Sequence, residues 1–167
     1  MITVAILVVM VVAAIAVGIL VRRNEGRVRH TAAPANDTAG SGSDTAGVAN
    51  PPEPESNRAA LLAAAGVIPG RPTILHFSAD WCGPCAAVRR VVASVVTELS
   101  DAERPPLDLE VDIDANPALA RELNVLSLPT TFGFDSRGLE RFRISGVPKA
   151  ADLRRSLTPL TISESSE

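Results

Sequence analysis

Two cysteines stand three positions apart in the run Trp81-Cys82-Gly83-Pro84-Cys85, and the 167-residue chain has no others. A strand-like run ends just before the pair, and a long helical pattern begins beside it. Unpaired N–H groups and the positive dipole end at the start of a helix stabilise a thiolate, which lowers the pKa of the thiol. We therefore predict that Cys82 is a nucleophile that forms a mixed disulfide with a substrate. Cys85, one helical turn on, is the predicted resolving thiol that releases the substrate reduced.

The residues between the cysteines suit the same chemistry. Gly83 has no side chain and lets another chain approach closely, and Pro84 fits the first turn of a helix. Three other interpretations compete: half of a zinc site, a purely structural disulfide, and two unrelated buried thiols. Zinc would need two further ligands, and the only histidines are His30 and His76. A bridge across so short a loop removes little entropy from the unfolded chain. The spacing favours thiol exchange and no metal.

The elements that must position the pair follow from apolar periodicity. Before the cysteines, residues 73–78 predict a buried strand. After them, a helix over about 84–99 carries an apolar stripe at helical spacing: Val88, Val91, Val92, Val95, Val96 and Leu99. The pattern predicts further elements in this order: a helix over 58–65, a strand over 107–113, a helix over 116–123, strands over 130–135 and 139–145, and a last helix from Pro148. This order predicts an α/β domain with parallel β-α-β units beside a hairpin.

The cysteine motif with its flank, Ala79 to Cys85, closely resembles the active site of the thioredoxin family. The resemblance covers about residues 72–157 and includes the runs 111–117 and 125–130, with Gly138 and Gly146 at later glycine positions. It implies a thioredoxin fold whose mixed sheet has four strands flanked by helices. The family's first core strand is replaced here by the helix over 58–65.

The resemblance also implies a substrate surface around the pair. Pro129 would be cis and lie against the cysteines, leaving the backbone of Leu128 free to pair with an extended substrate. An ordinary trans loop proline is the alternative. Trp81 would shield the disulfide, or serve packing alone. The implied substrate-binding residues are Trp81, Gly83, Pro84, Leu128, Pro129 and Gly146. No cofactor is implied beyond the redox-active Cys82–Cys85 disulfide itself.

Two positions depart from the family. His76 stands on the strand below the cysteines, where thioredoxins usually carry a buried acid. A histidine titrates near neutrality and could relay a proton to or from Cys85, or it could be a hydrogen-bonded core histidine. Glu110 stands near a position where the family often has a lysine. A swapped acid–base pair between His76 and Glu110 is therefore a hypothesis.

The N-terminus predicts a membrane anchor over residues 1–23. Residues 2–21 carry no charge, and as a helix these 20 residues would span about 30 Å, the thickness of a bilayer core. Nothing basic precedes the run, while Arg22 and Arg23 follow it, which disfavours a cleaved signal peptide. The positive-inside rule then predicts a single-pass plasma-membrane protein with a cytoplasmic catalytic domain. The extracytoplasmic orientation stays open, because single-span relatives often face that way.

Composition divides the rest of the chain. Residues 24–57 are rich in Ala, Gly, Ser, Thr, Asn, Asp and Pro, which predicts a flexible linker. Residues 58–160 form the predicted thioredoxin-like domain, and residues 161–167 a disordered tail. Only 3% of residues are aromatic, and residues 58–159 balance 12 basic against 12 acidic side chains. Neither feature suits nucleic-acid binding.

Together these features predict a thiol-disulfide oxidoreductase that reduces protein disulfides near the membrane. Its predicted partners are protein disulfide substrates, a reductase or other dithiol electron donor, and the lipid bilayer through residues 2–21. Two alternatives stay open: a disulfide oxidase or isomerase facing the extracytoplasmic side, and a redox-inactive binding module with the thioredoxin surface.

Overall fold

A computed structural model of the chain describes residues 2–24, 28–30 and 54–162. Most of the predicted linker and of the predicted C-terminal tail lie outside the described residues. The described elements, in chain order, are α1 (Ile2–Asn24), β1 (Val28–His30), α2 (Pro54–Ala64), β2 (Thr73–Ser78), α3 (Cys85–Glu98), β3 (Leu107–Asp112), α4 (Pro117–Glu122), β4 (Thr130–Phe134), β5 (Glu140–Ser145), α5 (Ala150–Leu157) and a 3-10 turn (Thr158–Thr161).

The mixed sheet has the strand order β1-β5-β4-β2-β3. β2 and β3 run parallel, and the other three neighbouring pairs are antiparallel. β2 is therefore an interior strand, between β4 and β3, and is buried along its whole length. That position explains its nearly continuous apolar run, because a strand covered on both faces has no solvent side to make polar.

The sheet has five strands, so the predicted count of four is wrong. The extra strand, Val28–His30, pairs with the outer edge of β5, with Val28 opposite Ile144. It lies inside the stretch predicted to be a flexible linker. Its only apolar side chain is Val28, and its pairing partners are more than a hundred residues away in sequence, so no local pattern marks it as a strand. Backbone hydrogen bonds to the open edge of β5 make this segment a strand, although its composition is not typical of one.

Helices cover the sheet on both faces and create two cores. On one face α2 and α4 enclose Leu62, Val67, Leu75, Phe77, Val111, Leu119, Ala120, Leu123, Phe132 and Phe134. On the other face α3 and α5 enclose Ile74, Val88, Val92, Val95, Phe142, Ile144, Leu153 and Leu157. The predicted valine stripe of α3 is thus confirmed as its sheet-facing side. α3 is thereby fixed across the sheet, and with it the cysteine at its first position.

α1 occupies the N-terminal segment for which the sequence predicts a membrane-spanning helix. Within the described part of the chain, no helix combines the length and the apolar character needed to cross a membrane. The membrane span over residues 2–21 is therefore not supported by the structure.

Candidate active site

The two cysteines are joined by a disulfide at the start of α3. Cys85 is the first residue of the helix and is only 2% exposed, whereas Cys82 is half-buried in the preceding loop. The loop is tight, because the N–H of Cys82 donates to the carbonyl of Ala79 and the N–H of Cys85 donates to that of Cys82. An incoming disulfide can thus reach the sulfur of Cys82, while the sulfur of Cys85 faces inward. The Cys85 Sγ lies 3.9 Å from the carbonyl oxygen of Phe77 on β2.

Gly83 and Pro84 are both exposed beside this disulfide. The helix begins at Cys85, and Pro84 has helical backbone angles and caps it. The predicted start at Pro84 is one residue early. The missing N–H of Pro84 leaves no donor unpaired, as expected for proline at the start of a helix.

Trp81 is 69% exposed, and its indole Nε1 donates a hydrogen bond of 3.1 Å to Asp114. The alternative that Trp81 serves packing alone is therefore too narrow, because its indole also makes a polar contact. The loop that carries Asp114 is itself fixed, because Asp112 Oδ1 accepts hydrogen bonds from the N–H groups of Asp114 and Ala115. The sequence analysis did not identify Asp114 as a site residue. The repeated aspartates before the Asn116-Pro117 helix start were the available signal.

The peptide bond between Leu128 and Pro129 is cis, so the alternative of a trans loop proline is wrong. Pro129 is buried, and its carbonyl accepts a hydrogen bond of 2.8 Å from the N–H of Gly146. Phe77 is opposite Thr130 in the register of β2 and β4. That register brings the loop of Pro129 to the same end of the sheet as the cysteines. Gly146 fixes this loop from the next strand.

An open groove of about 490 Å³ runs beside Trp81. Its lining includes Asp114, Arg121 and Leu126, and Leu126 is 85% exposed. Leu128 was predicted as a site residue and Leu126 was not, because an apolar residue three positions before a proline has no signal of exposure. The groove gives an approaching chain an apolar surface next to the reactive sulfur.

His76 is buried on the face of the sheet that α3 covers, and it is 2% exposed. Its Nε2 lies 3.2 Å from Oδ1 of Asp108 on β3. Glu110 is opposite His76 in the strand register, and the charge of His76 acts on its carboxylate, but the direct ion pair of Glu110 is with Arg89. The imidazole instead reaches Asp108, two residues earlier on β3.

Opposing effects act on the pKa of Glu110. Partial burial acts to raise its pKa. Hydrogen bonds from Ser78 and Arg89, together with the charges of His76 and Arg89, outweigh that effect and lower the pKa of Glu110 below its ordinary value. Glu110 is therefore ionised at neutral pH.

One neighbour of His76 has an unpaired polar atom. Thr131 is opposite His76 in the register of β2 and β4, and its fully buried hydroxyl has no hydrogen-bond partner among the described residues. Thr73 on β2 has a second such hydroxyl. Among the described side chains, no group of three or more His, Cys, Asp or Glu residues is arranged to hold a metal ion.

Comparison with known proteins gives a consistent result. A sequence model of the thioredoxin family matches residues 65–159. The chain is 39% identical over 88 residues to a thioredoxin of Mycolicibacterium smegmatis, covering 53% of this chain and 77% of that protein. It is 38% identical over 89 residues to a bifunctional thioredoxin reductase/thioredoxin of Mycobacterium leprae, covering 53% of this chain and 18% of that protein. Thioredoxin from Fasciola hepatica is similar in structure, with a TM-score of 0.48, 27% identity and coverage of 61% of this chain and 89% of the other.

Proposed function

The chain belongs to the thioredoxin family, and on that premise we propose that it reduces disulfides in other proteins through the Cys82–Cys85 couple. It is a thioredoxin-like disulfide oxidoreductase; the reducing direction and the protein substrates are our proposal. The observation that carries the proposal is the asymmetry of the pair, with Cys82 accessible and Cys85 buried at the first position of α3. An asymmetric pair separates the attack on a substrate from the release of that substrate.

The reaction balances over two exchanges. The Cys82 thiolate attacks one sulfur of a substrate disulfide, which forms a mixed disulfide and releases the other substrate sulfur as a thiolate that takes a proton. The Cys85 thiolate then attacks Cys82, which closes the disulfide and releases the second substrate thiol. The substrate has gained two electrons and two protons. A dithiol or flavin-linked donor returns them to the Cys82–Cys85 disulfide.

A reductase is the donor that we favour. The relative in Mycobacterium leprae carries a thioredoxin reductase and a thioredoxin in one chain. We propose a separate reductase of that class as the partner of this protein. The test is reduction of the Cys82–Cys85 disulfide in the purified chain by such a reductase, with the Cys82→Ser chain as the control.

Substrate recognition would use the backbone more than side chains. The cis peptide bond before Pro129 leaves Leu128 half-buried at the site, where its N–H and C=O can pair with an extended segment. Trp81 and Leu126 would contact apolar side chains of that segment. The exposed residues Gly83 and Pro84 leave room for it, and Gly146 keeps the loop of Pro129 in place.

His76 is the proposed proton acceptor when Cys85 becomes a thiolate. Asp108, whose Oδ1 lies 3.2 Å from Nε2, would hold the imidazole in place by a hydrogen bond. We expect His76→Ala to change the pH dependence of resolution of the mixed disulfide, and Asp108→Asn to change it in the same direction by less. An unchanged pH dependence in His76→Ala would rule out the relay and leave a core histidine.

The deciding experiment is turnover by the purified chain with a disulfide-bonded protein and a dithiol donor. We expect catalytic reduction by the parent chain and none by Cys82→Ser. Cys85→Ser should accumulate a mixed disulfide on Cys82. No turnover with any chemical or enzymatic donor would favour the redox-inactive binding module. Faster oxidation of a reduced substrate than reduction of an oxidised one would favour the oxidase.

Membrane attachment through residues 2–21 stays a prediction of the sequence. Its support is the uncharged run itself, with exposed apolar side chains of α1 such as Leu7, Val9 and Met10. The test uses Ser41→Cys in a chain that also carries Cys82→Ser and Cys85→Ser. Labelling of intact cells by a membrane-impermeant thiol reagent would place the domain outside, against the positive-inside prediction. Recovery of the chain in the soluble fraction would exclude the anchor.

A further inference from the structure

Arg89 joins the helix of the resolving cysteine to the sheet. It lies four residues after Cys85 on α3, and therefore on the same side of the helix one turn further along. Its Nε lies 2.7 and 2.8 Å from the two carboxylate oxygens of Glu110 on β3. Among the ion pairs of the described residues, it is the one that connects α3 with the sheet. The remaining α3 pair, Arg154 with Glu98, reaches α5.

Glu110 puts a negative charge on β3, the strand next to the one that contacts the sulfur of Cys85. Its neighbour Val111 is opposite Phe77, whose carbonyl oxygen contacts the sulfur of Cys85. The lowered pKa of Glu110 keeps this carboxylate ionised at neutral pH. A carboxylate near a thiol disfavours the thiolate, because like charges repel. Alone, Glu110 would therefore oppose the chemistry proposed for the cysteines.

Other charged groups also lie near the pair. In the loops they are the exposed Asp80, two residues before Cys82, and Asp114, which accepts from Trp81. On the strands they are His76 and Asp108, which contact each other, and Asp112, whose carboxylate accepts N–H groups of the next loop. β4 contributes the uncharged Thr131 at this level. From α3 the charge that contacts this face is Arg89. Its guanidinium is therefore the group placed to offset Glu110.

We propose that Arg89 is a positioning residue of the thiol exchange, which offsets the charge of Glu110 and ties the first turns of α3 to β3. The inference rests on the proposed thiol chemistry of Cys82 and Cys85 and extends it to a residue that touches no substrate. Both side chains are partly open to solvent, with 49% of Arg89 and 35% of Glu110 exposed. Solvent screening makes the expected electrostatic effect moderate.

The test measures the pH dependence of Cys82 alkylation in full chains that carry Cys85→Ser, with Arg89→Gln, Glu110→Gln or both. We expect Arg89→Gln to raise the midpoint pH and lower the thiolate fraction at pH 7 about threefold. Glu110→Gln should move the midpoint the other way, and the double variant should return towards the parent. Arg90→Gln is the matched control, since Arg90 is the exposed neighbour on the same helix.

The outcomes separate this inference from the proposed function. Equal midpoints for Arg89→Gln, Arg90→Gln and the parent would overturn the inference, even if the parent chain turns over substrate. A shifted midpoint in the Cys85→Ser series, together with no turnover by the parent chain, would support the inference and overturn the reductase. Arg89→Lys keeps the positive charge, so its midpoint pH should lie close to that of the parent. If Arg89→Gln lowers resistance to urea without moving the midpoint, the role is structural and the inference fails.

Discussion

Beneath α2 and α4 the sheet presents the buried rings of Phe77, Phe132 and Phe134, whereas beneath the start of α3 it presents His76 and Thr131. Both faces belong to the same strands, and alternate residues point to opposite sides. The first face is mainly apolar, with Thr73 and Thr130 as its buried hydroxyls. The second is apolar away from the cysteines, where Ile74 and the α3 valines pack. The buried histidine lies on the face that carries Cys85.

This difference separates stability from chemistry within one sheet. Burying a polar group costs free energy unless it finds a hydrogen-bond partner, so an interior without a functional role tends to be apolar. His76 finds Asp108, but the Thr131 hydroxyl finds no partner in the described structure. The face beneath α3 therefore contributes less to folding per side chain. The apolar face compensates with large aromatic side chains.

The largest effect is expected on the apolar face. Phe132→Ala removes a fully buried ring that packs between Phe77 and Phe134, and should lower the free energy of unfolding by about 3–5 kcal/mol. Urea unfolding of the full chain measures this loss, with Phe132→Leu as a milder control. The Cys82 alkylation midpoint should not move in the folded variant. If Phe132→Ala lost less unfolding free energy than Phe132→Leu, the prediction that the aromatic face carries most of the stability would be contradicted.

On the α3 and α5 face, the tightest packing is at Gly133. A Cβ at this position would come within 2.1 Å of the Phe142 ring, so the ring must move. Gly133→Ala should therefore cost about 1–3 kcal/mol of the free energy of unfolding. The companion variant Gly133→Ala with Phe142→Leu should recover part of that loss. Full stability of the single variant would show that this core is loosely packed.

Each face has one buried hydroxyl without a hydrogen-bond partner among the described residues, which allows a direct comparison. Thr73 lies two residues before Leu75, on the same side of β2 and therefore on the α2 and α4 face, and Thr131 lies beside His76 on the other face. Thr73→Val should raise the free energy of unfolding by about 1 kcal/mol, because it removes a buried unpaired hydroxyl and keeps the side-chain shape. Thr131→Val should do the same. If Thr131→Val lowered the free energy of unfolding and Thr73→Val did not, the Thr131 hydroxyl would have a hydrogen-bond partner in solution.

The sequence predicted the apolar parts of both faces and the position of the chemistry. The valine stripe of α3, the run over residues 73–78 and the cysteine pair are all local patterns. The resemblance to thioredoxins supplied the cis bond before Pro129, which no local pattern specifies. β1 could not be predicted, because three residues with one apolar side chain become a strand only when β5 is beside them. The choice of Asp108 over Glu110 as partner of His76 depends on register and side-chain direction, which appear only in three dimensions.

The smallest effect concerns the acid on the polar face. The pKa of Glu110 is lower in the folded chain than its ordinary value, so its ionised form contributes stability. That contribution is complete above the unfolded pKa, about 4.3 for glutamate, and disappears as the pH falls through the folded pKa. The difference in unfolding free energy between the parent and Glu110→Gln should therefore be largest near neutral pH and shrink towards pH 3. We expect less than about 1 kcal/mol, because solvent screens a partly exposed pair.

Urea unfolding at a series of pH values measures that difference, and Glu98→Gln is the matched control on an exposed pair. A difference that stays constant with pH would mean that Glu110 stabilises the fold through shape rather than charge. Arg89 would then have no ionised Glu110 carboxylate to offset, which would contradict its proposed role. A difference that shrinks in acid, with no similar trend for Glu98→Gln, would show that the polar face retains an ionised carboxylate beneath α3. The face beneath α2 and α4 has an ion pair of its own, Arg58 with Glu140. Glu140 is opposite Phe134, and Phe134 is opposite Thr73, so this pair lies at the end of the sheet away from the cysteines. The carboxylate placed to act on the thiols is therefore the one beneath α3.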